Sequence, residues 1–186
     1  MFNLANRVQV LLNQTLTAVS VLTAAIALIS VVQLYFAGVW SIDTTSISNV
    51  KAIALLKNLR SFGALHGKPK ENSKIAFDLS ADLTPLFHWN TKQIFVYLTA
   101  EYEGKLAGLS SRVTYWDKII TRREDATLSL KNARAKYLVW DVEKSFRGRN
   151  ATLRLEWSIQ PYVGAFVLGE TLVGEDFAFA SVKRKS

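Results

Sequence analysis

The chain has 186 residues, a formal charge of +8 and no cysteine. Disulfides, Cys-ligated zinc and thiol catalysis are therefore excluded, while the redox compartment stays open. The basic residues are spread along the chain, with only small clusters at Lys68–Lys74, Lys144–Arg149 and Lys183–Lys185. That pattern reads as a solvated basic surface, not as a nucleic-acid site, which needs charges gathered on one face.

No charged residue lies between Arg7 and Asp43, and Leu16–Val39 reads LTAVSVLTAAIALISVVQLYFAGV. A helix of roughly 20 apolar residues covers a hydrocarbon core of about 30 Å, so residues 16–39 are predicted to form a transmembrane signal-anchor behind a short tail, residues 1–15. Ser and Thr are tolerated there because their hydroxyls can bond back to the helix. Tyr35, Phe36 and Trp40 sit at one end, where aromatic rings favour the headgroup region. A cleaved signal peptide fits poorly, because the run is too long and lacks a small-residue cleavage site. Arg7 on one side nearly balances Lys51 and Lys57 on the other, so charge alone leaves the orientation open.

Residues 43–186 are enough for one domain with one core, and they read as β structure. Short runs rich in Val, Ile, Phe, Tyr, Trp and Thr recur between turn residues. They are Ile75–Leu83, Phe95–Glu103, Arg112–Ile120, Thr127–Leu130, Ala135–Val142, Ala151–Gln160 and Glu175–Val182. Val50–Phe62 suits a strand about as well as a short helix, and a strand is preferred to complete the sheet. His66–Asn72 reads as the most mobile loop. Closely spaced strands without helical crossovers predict an all-β, antiparallel β-sandwich behind one N-terminal transmembrane α-helix. Its expected core contains Phe77, Leu79, Phe95, Tyr97, Leu98, Val113, Leu155 and Trp157. Trp89, Trp116, Trp140 and Trp157 are candidates for core or interface.

Catalytic and metal signatures are sparse. His66 and His88 lack ligands at metal-binding spacing, so both read as turn or surface residues. There is no G-x-S-x-G and no phosphate loop. A spatial Ser–Lys dyad stays possible, although no serine sits in a strained turn beside a base. Asp78 and Asp82 share strand parity and read as an acid pair on the solvent face of an edge strand. No catalytic, metal or cofactor residue is expected. Asn150-Ala151-Thr152 is an N-glycosylation acceptor, placed at a turn before a strand. Asn13-Gln14-Thr15 also matches, but it lies against the anchor.

Three segments carry a wider likeness: FDLSADLTPLFHWNTKQIFVYLTAEYE (Phe77–Glu103), VTYWDKII (Val113–Ile120) and KYLVWDVEKSFRGRNATLRLEWSIQPYVG (Lys136–Gly164). With them the chain resembles, over nearly its whole length, the third-subunit family of the eukaryotic signal peptidase complex. The stretch after Phe177 departs from it. The resemblance implies a non-catalytic accessory subunit of the endoplasmic reticulum membrane, single-pass and type II, with a cytosolic tail. It further implies a lumenal domain glycosylated at Asn150. The partners so implied are a serine-type catalytic subunit, other small membrane subunits and the lipid bilayer, with no cofactor. Two other classes remain: a tethered lipid- or glycan-binding sandwich, which needs a ligand-sized apolar cavity, and a tethered hydrolase whose residues converge only in space.

Overall fold

The computed structural model describes residues 3–57, 70–104, 110–140, 146–171 and 174–181. Helix α1 (Leu4–Phe36) is capped by Asn3, whose side chain accepts from the Ala5 N–H at 3.2 Å. It begins 12 residues before the predicted Leu16, since no Gly or Pro interrupts residues 4–15. At 33 residues it is about 50 Å long. Thr15, Thr17, Ser20 and Thr23 each donate to the carbonyl four residues back at 2.8–3.0 Å, so their hydroxyls are satisfied within the helix. Gly38, at φ 63°, ends it in the left-handed region open to glycine. Val39 then enters a 3-10 turn, Val39–Ser41, and is wholly buried in the domain, not offered to lipid.

The rest is two packed sheets. Strands β1 (Ser46–Lys57), β2 (Lys70–Asp82), β5 (Thr127–Arg134), β6 (Val139–Trp140) and β10 (Ala180–Ser181) form the first, in the order β10-β1-β2-β5 with β6 also on β2. Strands β3 (Thr91–Glu103), β4 (Ser110–Ile120), β7 (Asn150–Pro161), β8 (Val167–Glu170) and β9 (Glu175–Ala178) form the second, in the order β4-β3-β7-β8 with β9 also on β7. All pairs are antiparallel except β1 with β10. The strand preference for Val50–Phe62 holds as far as Lys57; its remainder and His66 lie outside the described residues. Lys70–Asn72, expected in a loop, begins β2.

Alternation builds the core. Ile75, Phe77, Leu79 and Ala81 of β2 face Ile94, Val96, Leu98 and Ala100 of β3 and Leu153, Leu155, Trp157 and Ile159 of β7, all buried in one cluster. Phe77 meets Trp116 edge-on at 6.1 Å between ring centroids. Phe95 and Tyr97 do not belong to this core. Phe95 is 36% exposed and Tyr97 is half-buried, and they stack at 5.3 Å on the outer face. The apolar run IFVYL offered both parities, and the inward set is Ile94, Val96 and Leu98. Val113 is only half-buried, packed against the core edge.

Two predicted strands change form. Among the described residues of Ala135–Val142 only β6 is a strand, because the chain between β5 and β6 leans onto the second sheet before it returns to the first. Ala135 N–H donates to Ile75 of the first sheet, and Lys136 and Tyr137 N–H both donate to Tyr115 of the second. Strand β8 was not expected among Pro161, Gly164 and Gly169. It forms against the Trp157 indole, which leaves no room at Gly169: an added Cβ would lie 2.1 Å from the ring.

Candidate functional site

The acid pair resolves into structural roles. Strand β2 is interior, flanked by β1 and β5, so Asp78 is not on an edge. The register slips on both sides of it, between Ser48 and Lys51 and between Phe77 and Leu79. Asn49 and Asn132 adopt positive φ at those slips, 53° and 51°. Asp78 accepts from the Asn132 backbone N–H at 2.5 Å and from Asn49 Nδ2 at 3.2 Å, clipping both bulges. These bonds, the Asn132 one foremost, hold its carboxyl below the usual range. Asp82 accepts from the Thr84 hydroxyl and N–H, which likewise lower it.

His88 is brought to α1, a contact between residues 58 apart that no spacing rule could find. Its Nε2 lies 3.0 Å from Ser30 Oγ. A serine and a histidine at this distance invite comparison with a nucleophile and its base. The other ring nitrogen decides the polarity. Nδ1 accepts the Asn90 backbone N–H at 3.1 Å, with Thr91 Oγ1 at 3.0 Å. A neutral ring then carries its proton on Nε2 and donates to Ser30, the reverse of what a general base must do. Trp89 Nε1 donates to Gln33 Oε1 beside it. Leu34 is wholly buried, and Gly164 lies so close to Ala27 that an added Cβ would come within 3.2 Å of the alanine Cβ. Ala27, Ser30 and Leu34 make one helical stripe, and through it the anchor is docked on the sandwich.

The outer face of the second sheet combines an exposed apolar row with a charged one. Cross-strand register places Ile119, Phe95, Ser158 and Leu168 in one row over four strands. Ile119 and Leu168 are exposed, at 55% and 63%. The next row holds Asp117, Tyr97, Glu156 and Glu170. Beyond it Arg112 reaches Glu101 at 3.1 Å, Glu156 at 3.3 Å and Glu170 at 3.6 Å, and Arg154 reaches Glu170 at 3.3 Å. The hydrogen bond from Arg112 lowers the Glu101 carboxyl and raises the Arg112 guanidinium in turn. Burial, then Glu156, pushes the Tyr97 phenol up. An apolar band bordered by mutually neutralised charge is the composition of an interface core with a polar rim. Of the four tryptophans named as candidates for core or interface, Trp157 and Trp116 are buried, while Trp89 and Trp140 are exposed.

Asn150 opens β7 directly after the Gly148 turn, exposed at the end of the sandwich far from α1. Thr152 of the same triplet donates to Asp176 at 2.6 Å. Both border a polar concavity of about 890 Å³ with Arg147, Arg149 and Arg154 on its walls. Below it Glu71, buried, accepts the Phe146 N–H at 2.9 Å and pairs with Arg147 at 2.6 Å. An apolar groove of about 410 Å³ lies at the opposite end, between α1 and residues 159–167. Among the described residues no three His, Cys, Asp or Glu side chains gather as a metal site.

A family model described as signal peptidase subunit matches residues 1–182. The chain belongs to the signal peptidase subunit family. A relative from Debaryomyces hansenii, signal peptidase complex subunit 3, is 54% identical over 180 residues, covering 97% of this chain and 95% of the relative. The Saccharomyces cerevisiae protein of the same name is 43% identical over 173 residues, 92% and 93% of the two chains. The human one is 41% identical over 118 residues, 61% and 63%. The family match includes β9 and β10, so residues 178–182 of the stretch set apart after Phe177 fall within it, while 183–186 lie beyond it; Phe179 is a buried core residue.

Proposed function

We propose that this chain is a non-catalytic accessory subunit of the endoplasmic reticulum signal peptidase complex, supporting a separate serine-type subunit that removes N-terminal signal peptides. The observation that carries this is the family match over residues 1–182, with relatives called signal peptidase complex subunit 3 at up to 54% identity. In this reading α1 is a single-pass, type II anchor, residues 43–186 are lumenal and Asn150 bears a glycan. The docked stripe of Ala27, Ser30 and Leu34 supports it physically, because a domain fixed to its anchor holds a partner at a set height over the bilayer. The row Ile119, Phe95 and Leu168 supplies apolar area for the catalytic subunit or the small membrane subunits, and the charged rows beside it a specific rim.

The reading is tested by depletion. Loss of the chain should make uncleaved secretory precursors accumulate, while the purified full-length chain should cleave none. A mild-detergent pull-down should recover a serine-type peptidase. Asn150→Gln should abolish an endoglycosidase-sensitive gel shift. Cleavage by the purified chain, lost in Ser30→Ala, would replace this reading with a tethered hydrolase. An unglycosylated domain open to protease from the cytosol would reverse the topology and remove the peptidase reading with it.

A further inference from the structure

Residues 161–169, PYVGAFVLG, carry no charge, and the structure leaves their large side chains uncovered: Tyr162 is 68% exposed, Phe166 64% and Leu168 63%. Single exposed apolar residues are ordinary, but Tyr162 and Phe166 on the loop, followed by Leu168 at the start of β8, are three within seven residues and call for a partner. The loop is held against α1, and α1 sets its height. Gly164, at φ 117°, rests on Ala27: an added Cβ would lie 3.2 Å from the alanine Cβ, a tight contact on a backbone that favours glycine.

The depth follows by counting residues. Covering about 30 Å of hydrocarbon takes roughly 20 helical residues. The charge-free stretch begins after Arg7, and the span can start no earlier without drawing that guanidinium into the core. Twenty residues from Val8 end at Ala27, about where the loop touches. In this earliest register Gly164 lies at the boundary of hydrocarbon and headgroups. Any later register, including Leu16–Phe36, carries the loop deeper. Every admissible placement of the anchor therefore brings residues 161–169 to the headgroup boundary or below it.

Irregular backbone at such a depth must have its polar groups satisfied from within the protein. Asn90, 2% exposed, does much of this. Its Nδ2 donates to the Val163 carbonyl at 2.8 Å, its Oδ1 accepts the Val163 N–H at 3.1 Å, and its own carbonyl accepts the Tyr162 N–H at 2.9 Å. Trp40 Nε1 donates to the Leu168 carbonyl at 3.2 Å. The loop thus turns apolar side chains outward while four of its backbone groups are paired inward, the opposite of a loop built for water. The apolar groove between it and α1 opens at the same depth, lined by Leu28, Val31 and Phe166.

We propose that residues 161–169 are a second membrane contact, seated in the leaflet on the domain's side with Tyr162 and Phe166 against lipid and Asn90 holding the backbone closed. This rests on α1 crossing the bilayer and not on the peptidase reading. The chain has no native cysteine, so a single Phe166→Cys in the full-length protein takes an environment-sensitive fluorophore at one place. Ser110→Cys, exposed at the far end of the sandwich, is the comparison. In phosphatidylcholine nanodiscs, the label at 166 should lose emission to lipids bearing an acyl-chain nitroxide and be shielded from aqueous iodide. The label at 110 should do the reverse. Iodide quenching at 166 equal to that at 110 would overturn the proposal. So would shielding from both quenchers, which would mean that protein covers the loop. Tyr162→Cys gives an independent reading should the label at 166 disturb folding.

Discussion

The two ends of the sandwich are built by the same strands and have opposite surfaces. Strand β7 starts at Asn150 beside Arg147, Arg149, Glu101 and Asp176, and it finishes at Pro161 beside Ala27, Ser30 and Leu34. At the anchor-distal end polar groups are exposed and the large rings are hidden: Tyr102, Phe146 and Phe179 pack with centroids 5.3–6.4 Å apart beneath the charged rim. At the anchor-proximal end the rings are exposed and the polar groups are turned inward, onto Asn90 and His88. The alternation of the strands fills one core throughout, so the difference lies in the outer face and the loops. Those parts answer to the surroundings, water at one end and bilayer at the other.

This contrast can be broken by deletion. Phe146→Ala at the distal end should cost about 3–5 kcal/mol, read from denaturant unfolding of the full-length chain in detergent, because a wholly buried ring leaves a cavity. Phe166→Ala should stay within about 0.5 kcal/mol in the same assay, as for surface substitutions generally. Equal costs would mean that the two ends are packed alike. Gly169→Ala should be intermediate, about 1–3 kcal/mol, since the Trp157 indole must move to admit a methyl group. A neutral result would show that β8 is free to shift.

The smallest effect concerns acid. Asp78, Asp82 and Glu101 have their carboxyl groups lowered in the folded state, chiefly by hydrogen bonds from Asn132, Thr84 and Arg112. A lowered carboxyl contributes stability that is fully present above its unfolded value, 3.8 for Asp and 4.5 for Glu. That contribution is lost as pH falls through the lower folded value. Unfolding midpoints should therefore drop below about pH 4, and Asp78→Asn should flatten the drop. An unchanged slope in that variant would remove Asp78 from the account.

Much of this was readable from the chain. The charge-free gap specified one long helix, and the clean alternation at Ile75, Phe77 and Leu79 fixed which face of β2 is inside. Where both parities were apolar, at Ile94–Leu98, alternation could not choose, and Phe95 and Tyr97 fell on the wrong side. Strand β8 carries no pattern of its own, because Trp157 and Gly169 define it jointly. Contacts such as Ser30 with His88, or Asn90 with Val163, join positions 58 and 73 apart. They arise only once α1 and the sandwich share one frame, which single-sequence spacing does not encode. The roles of Asp78 and Asn132 were hidden for the same reason, since a bulge is a property of two paired strands.

The parallel pairing of β1 with β10 has a consequence for the order in which the fold can close. Ile53 waits for Ala180, 127 positions later, to complete its edge of the first sheet. Asn150 likewise waits for Ala178 of β9 before its own strand is covered on that side. Such long-range closures come late, because the loop entropy must be met before the contact is gained. Strand β3 is made earlier and can pair with β7 at once, so only the side of residues 150–153 that faces β9 stays uncovered until Glu175–Ala178 has been made. For the glycan proposed at Asn150, pairing with β9 marks the end of the interval in which that side of the residue is uncovered.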